Sequence, residues 1–542
     1  MKPTSIAALL AAAIVAGGLS ANPTTVRIAP GENWWGAANY FGTSMPFTAD
    51  STQKIDLRKD NYHNQCASFL VSDKGRSIWC ARQCLVEIGG GEIRLTPDDG
   101  KSPVVVAEGG ASLRDAFRSA ARAHFPSSGT VPPLLFFSAP QYNTWIELTY
   151  HQNEKGILDY ARSMLANGCP PGILMIDDTW QFAYGTWEFD PRRFSNPKGM
   201  CDELHSMGFK VILWMCPYVS MDSPEYRRVA TGRNPDDVRG YPTKGGFFLD
   251  PATRQPAACR WWNGVSAFLD FTHPNARAWY KEQLDRLVAD FGVDGFKLDG
   301  ADLTAYTTQG RLSHKPDATT GERNLGYSQF ALDYPCSEFR NAWGRQGQPL
   351  VVRLHDKPHK WEALGRMVAD MIAAGLLGYP FICPDMVGGG EWTTFIPGSP
   401  FDPELFVRSA QVHALCPMMQ FSASPWRVLD AEKQQIVRDA VALRQRFAPM
   451  IVSLAKETAR TGEPILRNLE YNFPAQGYAA VKDEFMMGET LLVAPQLAKG
   501  ATSRKVVIPP GTWKADDGTT IAGPTTITVS TPLSRLPHFV RQ

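Results

Sequence analysis

Two aspartates are placed where chemistry can be done. Asp299 closes the run Gly295-Phe296-Lys297-Leu298-Asp299, and Asp356 closes Pro349-Leu350-Val351-Val352-Arg353-Leu354-His355-Asp356. Each run is a short apolar segment ending in a carboxylate, the pattern of a buried strand with an acid at its C-terminal tip. In a parallel α/β barrel those tips carry the chemistry. Two carboxylates facing one pocket are the minimum equipment for cleaving a glycosidic bond. In retaining enzymes one is an ionised nucleophile and the other an acid that later becomes a base, about 5–5.5 Å away; inverting enzymes set the pair ~6.5–9.5 Å apart. Lys297 precedes Asp299 by two residues, so on a strand both side chains share a face, and its charge would keep Asp299 ionised. Asp356 has Arg353, His355 and Lys357 as chain neighbours. Asp177-Asp178 and Asp385 end two further apolar runs and are candidate acceptors for sugar hydroxyls. Trp180, Trp214 and Trp361 are candidate apolar walls, although each alone reads as readily as core. His355 is a candidate donor to substrate.

The elements that must position these residues alternate from about residue 132 onward. Apolar strands are expected at 134–137, 172–178, 210–215, 295–299, 349–356, 380–385 and 417–421, with helices at 153–167, 197–207, 276–291 and 361–377. Near-continuous apolar strands between helices indicate a parallel sheet covered on both faces. The count fits an α/β (β/α)8 TIM barrel over 126–446 with one strand unseen. An open doubly wound sheet is the runner-up, weakened because no glycine-rich phosphate loop follows the first strand. Residues 220–274 and 300–347 are too long for simple connections and are read as insertions at the catalytic mouth. Short strands with turn signals over 22–125, ending in a helix at 112–123, predict an N-terminal β-sandwich. A return to β patterning over 447–542 predicts a C-terminal β-sandwich.

Composition bounds the function classes. Basic and acidic residues nearly cancel, 55 against 54, which excludes the basic excess of a nucleic-acid binder. The partner expected is an oligosaccharide or glycoside substrate. Residues 1–21 read as an export signal, with Lys2, an apolar stretch from Ile6 to Val15 and a small-residue junction before Asn22. That stretch is too short for a confident membrane span, and an exported, periplasmic or secreted, location is expected. Ten cysteines in an exported chain allow disulfides, with a bridge among Cys66, Cys80 and Cys84 possible and Cys216 and Cys383 read as buried thiols. No Cys/His cluster has zinc spacing, so neither a metal nor a cofactor is expected.

The motifs, taken together, resemble glycoside hydrolase family 31. Gly295-Phe296-Lys297-Leu298-Asp299 is similar to the family's nucleophile signature, and His355-Asp356 with Trp361 five residues on is similar to its acid/base segment. Gly378-Tyr379-Pro380-Phe381-Ile382-Cys383-Pro384-Asp385-Met386-Val387-Gly388-Gly389 resembles the downstream Asp-Ile-Gly-Gly element, and Phe189-Asp190-Pro191-Arg192-Arg193-Phe194 a segment after the second strand. Leu491-Leu492-Val493-Ala494-Pro495 and Pro509-Pro510-Gly511-Thr512-Trp513 also fit. The resemblance implies a barrel between β-domains, with Asp299 as nucleophile, Asp356 as acid/base, and Lys297, Arg353, Asp177, Asp178 and Asp385 lining the sugar subsite. It implies retention at an α-linked anomeric carbon by an exo-acting hydrolase of terminal α-linked hexose. Three departures mark a branch: Asp302, also counted in the pocket, stands where members usually carry Glu; Arg353-Leu354-His355-Asp356 replaces the usual Gly-Asp context; and Pro384 precedes Asp385. With Met418-Met419-Gln420-Phe421-Ser422 these resemble the branch holding the myogenesis-regulating glycosidase, which implies an α-galactosidase. An α-glucosidase or α-xylosidase of the same family, and a non-catalytic carbohydrate-binding protein, are the alternatives.

Overall fold

The computed structural model describes residues 23–231, 245–306 and 310–542. The expected export signal therefore lies outside the described residues. At the centre are eight parallel strands: β1 Gln141–Asn143, β2 Ile173–Ile176, β3 Lys210–Met215, β4 Gly295–Leu298, β5 Glu338–Phe339, β6 Val351–Arg353, β7 Ile382–Cys383 and β8 Gln420–Phe421. Each pairs with the next, and β8 pairs with β1. Between β7 and β8 a single parallel bridge, Met386 to Gln420, closes the ring. A (β/α)8 barrel results, as the alternation of strands and helices predicts.

Two strands differ from the sequence reading. Residues 134–137 are apolar but not a strand: Leu135–Ser138 is a helical turn that packs on the long helix Ala431–Thr461, and β1 follows it with the polar sequence Gln-Tyr-Asn. Inside a barrel, side chains that pair with one another satisfy burial as well as apolar ones. Gln420 Nε2 donates to Gln141 Oε1 and to Glu338 Oε2, both at 3.0 Å, across the lumen. The strand that was unseen is β5. It is two residues long and lies within the 300–347 stretch assigned to an insertion, which instead contains the capped helix Thr320–Asp333 and β5 itself.

β4 is held in place by features around it. The helix Pro274–Phe291 ends at Gly292, whose φ of 74° is the left-handed conformation glycine adopts without strain. Three residues later Gly295 opens β4 against the segment leading into β5. A Cβ there would lie 1.8 Å from the carbonyl oxygen of Cys336, so only glycine permits this strand spacing.

Before the barrel, two four-stranded antiparallel sheets form the expected sandwich. The helix Leu113–His124 packs on the second of them, chiefly on Cys66–Ser72 and Arg76–Trp79. The chain after residue 447 does not turn to strands at once. Helix Ala431–Thr461 runs through the expected boundary, and the strands begin at Leu466. Six of them are joined in one antiparallel order, with a core of their own around Met486, Leu492, Trp513 and Phe539. All ten cysteines are free thiols, so the Cys66, Cys80 and Cys84 group is unbridged, and Cys216 and Cys383 are buried.

The Gly295 contact makes a test. Gly295→Ala is expected to cost about 1–3 kcal/mol or more through overpacking and to lower the thermal unfolding midpoint. Gly365→Ala lies mid-helix with nothing within 4 Å of its added carbon, and is expected to be neutral or stabilising by about 0.5–1 kcal/mol. Equal effects in the two variants would contradict the strand-spacing argument.

Candidate active site

The tips of β4 and β6 bring the two aspartates together. One nitrogen, Arg340 Nη1, lies 3.3 Å from Asp299 Oδ1 and 3.2 Å from Asp356 Oδ2. The two oxygens are therefore no further apart than those distances laid end to end, 6.5 Å. Arg353 makes a second bridge, Nη2 to Asp299 Oδ1 at 3.4 Å and Nη1 to Asp356 Oδ1 at 2.9 Å. Arg353 is wholly buried and also faces Asp385 and Glu338. Asp299 is buried, whereas the Asp356 side chain is 42% exposed at the mouth.

The charges explain the ionisation. Burial would raise the Asp299 carboxyl, but Arg353, Arg340 and Lys297, with the indole N–H of Trp214, outweigh it and hold it far below the usual carboxylate range. Asp356 is also held low: the desolvation of its inner side beside Asp299 is overcome by Arg353 and then Arg340. Lys297 is thus not the main partner of Asp299. Its ammonium donates to Asp177 Oδ2 at 2.6 Å, and that pair forms a buried floor between β2 and β4. The oxygens of Asp299 are unequally occupied. Oδ1 accepts from Gly300 N and faces both arginines, while among the described residues Oδ2 accepts only from Trp214 Nε1, at 3.0 Å.

The other expected site residues separate into three groups. Trp214 touches the candidate nucleophile, and Asp302 stands at the mouth between His63, Asn341 and Arg340. Asp385 lies beneath the pocket and is fully buried. It accepts from Lys357 N at 2.9 Å, and burial, then Asp356, pushes its carboxyl up to about 7. Two tryptophans are placed away from the role expected of them. Trp180 is core: it is fully buried, stacks on Trp187 and donates to the Trp214 carbonyl. Trp361 begins the helix after β6 and donates to Asp402 Oδ2 at 3.1 Å, in a cleft with Pro400 and Phe401 rather than in contact with the carboxylates.

Some site residues escaped the sequence reading. Arg340 follows the unseen strand β5. Trp262, at the turn of a hairpin from the 220–274 insertion, is 51% exposed and lies over the Arg340 guanidinium, 5.6 Å from it. A loop of the N-terminal sandwich also reaches the mouth. Asn61 Oδ1 accepts from Leu303 N, His63 Nδ1 meets Asp302 Oδ2 at 2.8 Å, Asn64 meets His355, and Gln65 Nε2 donates to the carbonyls of Arg340 and Arg353. The one signal for this loop was the polar run Asp60-Asn61-Tyr62-His63-Asn64-Gln65 between two strands. His355 is pushed down to about 2 by burial, Lys357 and Arg366, so its ring is neutral and Asn64 donates to its Nδ1. Backbone strain gathers here too: Tyr62, His63, Thr179, Ala301 and Asp385 all have positive φ, from 56° to 80°.

The His63–Asp302 contact generates a pH prediction. Asp302 raises the His63 pKa against the effect of burial. The contact therefore stabilises the loop fully below the ordinary histidine value of about 6.5 and loses that contribution as pH rises through the raised value. An NMR titration is expected to show a midpoint above about 6.5 that falls in Asp302→Asn. A midpoint unchanged by that substitution would contradict the pairing.

Known proteins share this architecture. The family model for the glycosyl hydrolases family 31 TIM-barrel domain matches residues 130–454, and that for the glycosyl hydrolase family 31 C-terminal domain matches 462–542. The myogenesis-regulating glycosidase of Mus musculus is 32% identical over 419 residues, 76% of this chain and 57% of that protein. Alpha-glucosidase 2 of Bacillus thermoamyloliquefaciens is 25% identical over 430 residues, 73% of this chain and 52% of that protein. The chain thus spans little more than half the length of these two relatives. A GH31 alpha-xylosidase from a soil metagenome, solved with xylose, superposes with a TM-score of 0.81 at 21% identity, over 96% of this chain and 79% of that one. With its barrel and C-terminal domain both matched, and the paired aspartates at the barrel's C-terminal mouth, the chain belongs to glycoside hydrolase family 31.

Proposed function

We propose that this chain is an exo-acting, retaining α-glycosidase that removes a terminal α-linked hexose, with an α-galactoside as its preferred substrate. The observation that carries the reading is the guanidinium nitrogen of Arg340 shared between Asp299 and Asp356, which limits the separation of their nearer oxygens to 6.5 Å. That limit suits a double displacement better than the ~6.5–9.5 Å gap that admits a water.

Asp299 Oδ2, which among the described residues meets the Trp214 indole alone, is the oxygen free to attack the anomeric carbon. Oδ1 stays fixed by Gly300 N and the arginines, which orient the carboxylate. The bond from the anomeric carbon to the leaving oxygen breaks as the ester to Asp299 forms, and Asp356 gives its proton to that oxygen. Asp356 must first be protonated, so Arg340 has to release Oδ2. The 3.2 Å contact is long and shared, and a sugar ring entering between the carboxylates takes the place of the guanidinium. Once Asp299 is esterified its charge is gone, and Asp356, no longer opposed by it, acts as the base: it takes a proton from a water whose oxygen bonds to the anomeric carbon as the ester bond to Asp299 breaks. The Asp177–Lys297 pair offers a carboxylate with oxygen positions left over for sugar hydroxyls.

The α-galactoside preference is supported by the sequence departures at Asp302, Pro384 and the Arg353-Leu354-His355-Asp356 segment. Relatives named as an alpha-glucosidase and an alpha-xylosidase set the comparison substrates. Export before action is part of the same reading and is supported by residues 1–21.

The test is a panel of aryl α-galactoside, α-glucoside and α-xyloside, with the first-formed sugar anomer followed by NMR. The galactoside is expected to turn over fastest and to release the α-anomer first. Asp299→Asn is expected to reduce kcat by a factor on the order of 1,000 or more without lowering the unfolding midpoint. First release of the β-anomer would overturn the double displacement. A faster glucoside or xyloside would move the substrate, and binding without turnover of any would make the chain a carbohydrate-binding protein.

A further inference from the structure

Asp177 and Asp178 are neighbours at the tip of β2, and the sequence reading gives both to the sugar. Their carboxylates are occupied differently. Asp177 accepts from Lys297 Nζ and from the backbone N of Asp178, leaving about half of its acceptor positions. Asp178 Oδ1 accepts from Thr179 N at 2.6 Å and Gln181 Nε2 at 3.1 Å, and its Oδ2 accepts from Tyr184 Oη at 3.0 Å and Asn263 Nδ2 at 2.7 Å. A carboxylate offers about four lone-pair positions, and protein donors fill all of them. The residue is 3% exposed. No acceptor position is left for a hydroxyl of a substrate.

The donor Asn263 is distant in sequence. It sits in the two-residue turn joining Ala258–Trp261 to Gly264–Phe268, the hairpin contributed by the insertion after β3. Asn263 Nδ2 also reaches Tyr184 Oη, at 2.8 Å. The residue before it is Trp262, which lies over Arg340 and whose ring edge would be 3.4 Å from a Cβ on Gly300. The hairpin tip thus spans the mouth, tied to the β2 tip through Asn263 and resting on the β4 and β5 tips through Trp262. The half-exposed indole touches Trp261, 5.2 Å between ring centroids, and Arg340, contacts that leave its outer half in solvent. The carboxylate on β2, which burial raises to about 6, supplies a directional bond that is charge-assisted above that pH, the stronger kind of hydrogen bond.

We propose that Asp178 is a positioning residue, a latch that holds the hairpin tip across the barrel mouth and so sets the Trp262 ring as the wall against which the sugar lies beside Asp299 and Asp356. The sugar in this statement rests on the glycosidase reading; the latch does not.

The test uses four variants of the full chain: Asp178→Asn, Asn263→Ala, Asn263→Asp and the exchange Asp178→Asn/Asn263→Asp. In the exchange, the new amide donates to the new carboxylate and Tyr184 keeps an acceptor, so the bond is rebuilt with its polarity reversed. Amide hydrogen exchange over residues 258–268 is expected to quicken about tenfold in each single variant and to return toward the parent rate in the double one. On the best panel substrate, kcat/KM is expected to fall by about tenfold in the single variants and to recover in the exchange, with unfolding midpoints little changed. Loss of activity in Asp178→Asn with none in Asn263→Ala would give Asp178 to the sugar and overturn the latch. So would an exchange variant whose hairpin stays as fast as the single variants. If no substrate is turned over by any form, the hydrogen-exchange arm still decides the latch, and if Asp178→Asn does not fold, the Asn263 variants decide it.

Discussion

Two arginines shared by two aspartates organise this molecule. Asp299, Asp302, Asp356, Asp385 and Glu338 gather within reach of Arg340, Arg353 and Lys297 at the C-terminal mouth of the barrel. Unpaired, such charges would cost several kcal/mol each to bury, and removing one partner of a buried pair strands the other. The arrangement therefore needs the tips of β4, β5, β6 and β7 at matched heights, because each contributes a member. The register supplies this, pairing Lys297 with Glu338, Phe339 with Val352 and Arg353 with Cys383. Gly295 sets the spacing of the first of these pairs.

The parts outside the barrel serve the same cluster. The N-terminal sandwich sends Asn61, His63, Asn64 and Gln65 onto Leu303, Asp302, His355 and the carbonyls of the two arginines. The backbone there is left-handed at Tyr62 and His63, a strain that persists only where contacts over-determine it. The hairpin bearing Trp262 and Asn263 leans across to β2. One comes from the N-terminal sandwich and the other from the connection after β3, and together they place polar and aromatic side chains on Asp302, His355 and Arg340. The barrel holds the charges, and its additions shape the access to them.

The two carboxylates were legible because an acid after an apolar run is a strong local pattern, and the runs 295–298 and 349–354 that precede Asp299 and Asp356 are long enough to show it. β1 and β5 were not. β1 is Gln-Tyr-Asn, its buried polar side chains paired across the lumen, and β5 has two residues, too few for any periodicity. Losing β5 also hid Arg340, the residue that sits between the catalytic candidates. Trp180 and Trp361 were indistinguishable from wall residues by type alone, since burial against Trp187 or a bond to Asp402 is a tertiary fact. The same holds for Asp178: spacing places it beside Asp177, and only the folded chain shows that Asn263, 85 positions on, takes its last acceptor site. The boundary expected at 447 failed because helix Ala431–Thr461 carries on past the barrel before the strands begin.

Trapping the covalent intermediate is the most direct test of Asp299 as the nucleophile. Incubation with an activated 2-deoxy-2-fluoro α-glycoside slows both steps by destabilising the oxocarbenium-like transition state, and the good leaving group keeps the first step the faster. Peptide mapping by mass spectrometry is predicted to find one sugar per chain, attached at Asp299, and none in Asp299→Asn. A stable adduct on any other residue, or steady turnover of the chain's own substrate with no sugar ever found on Asp299, would contradict it.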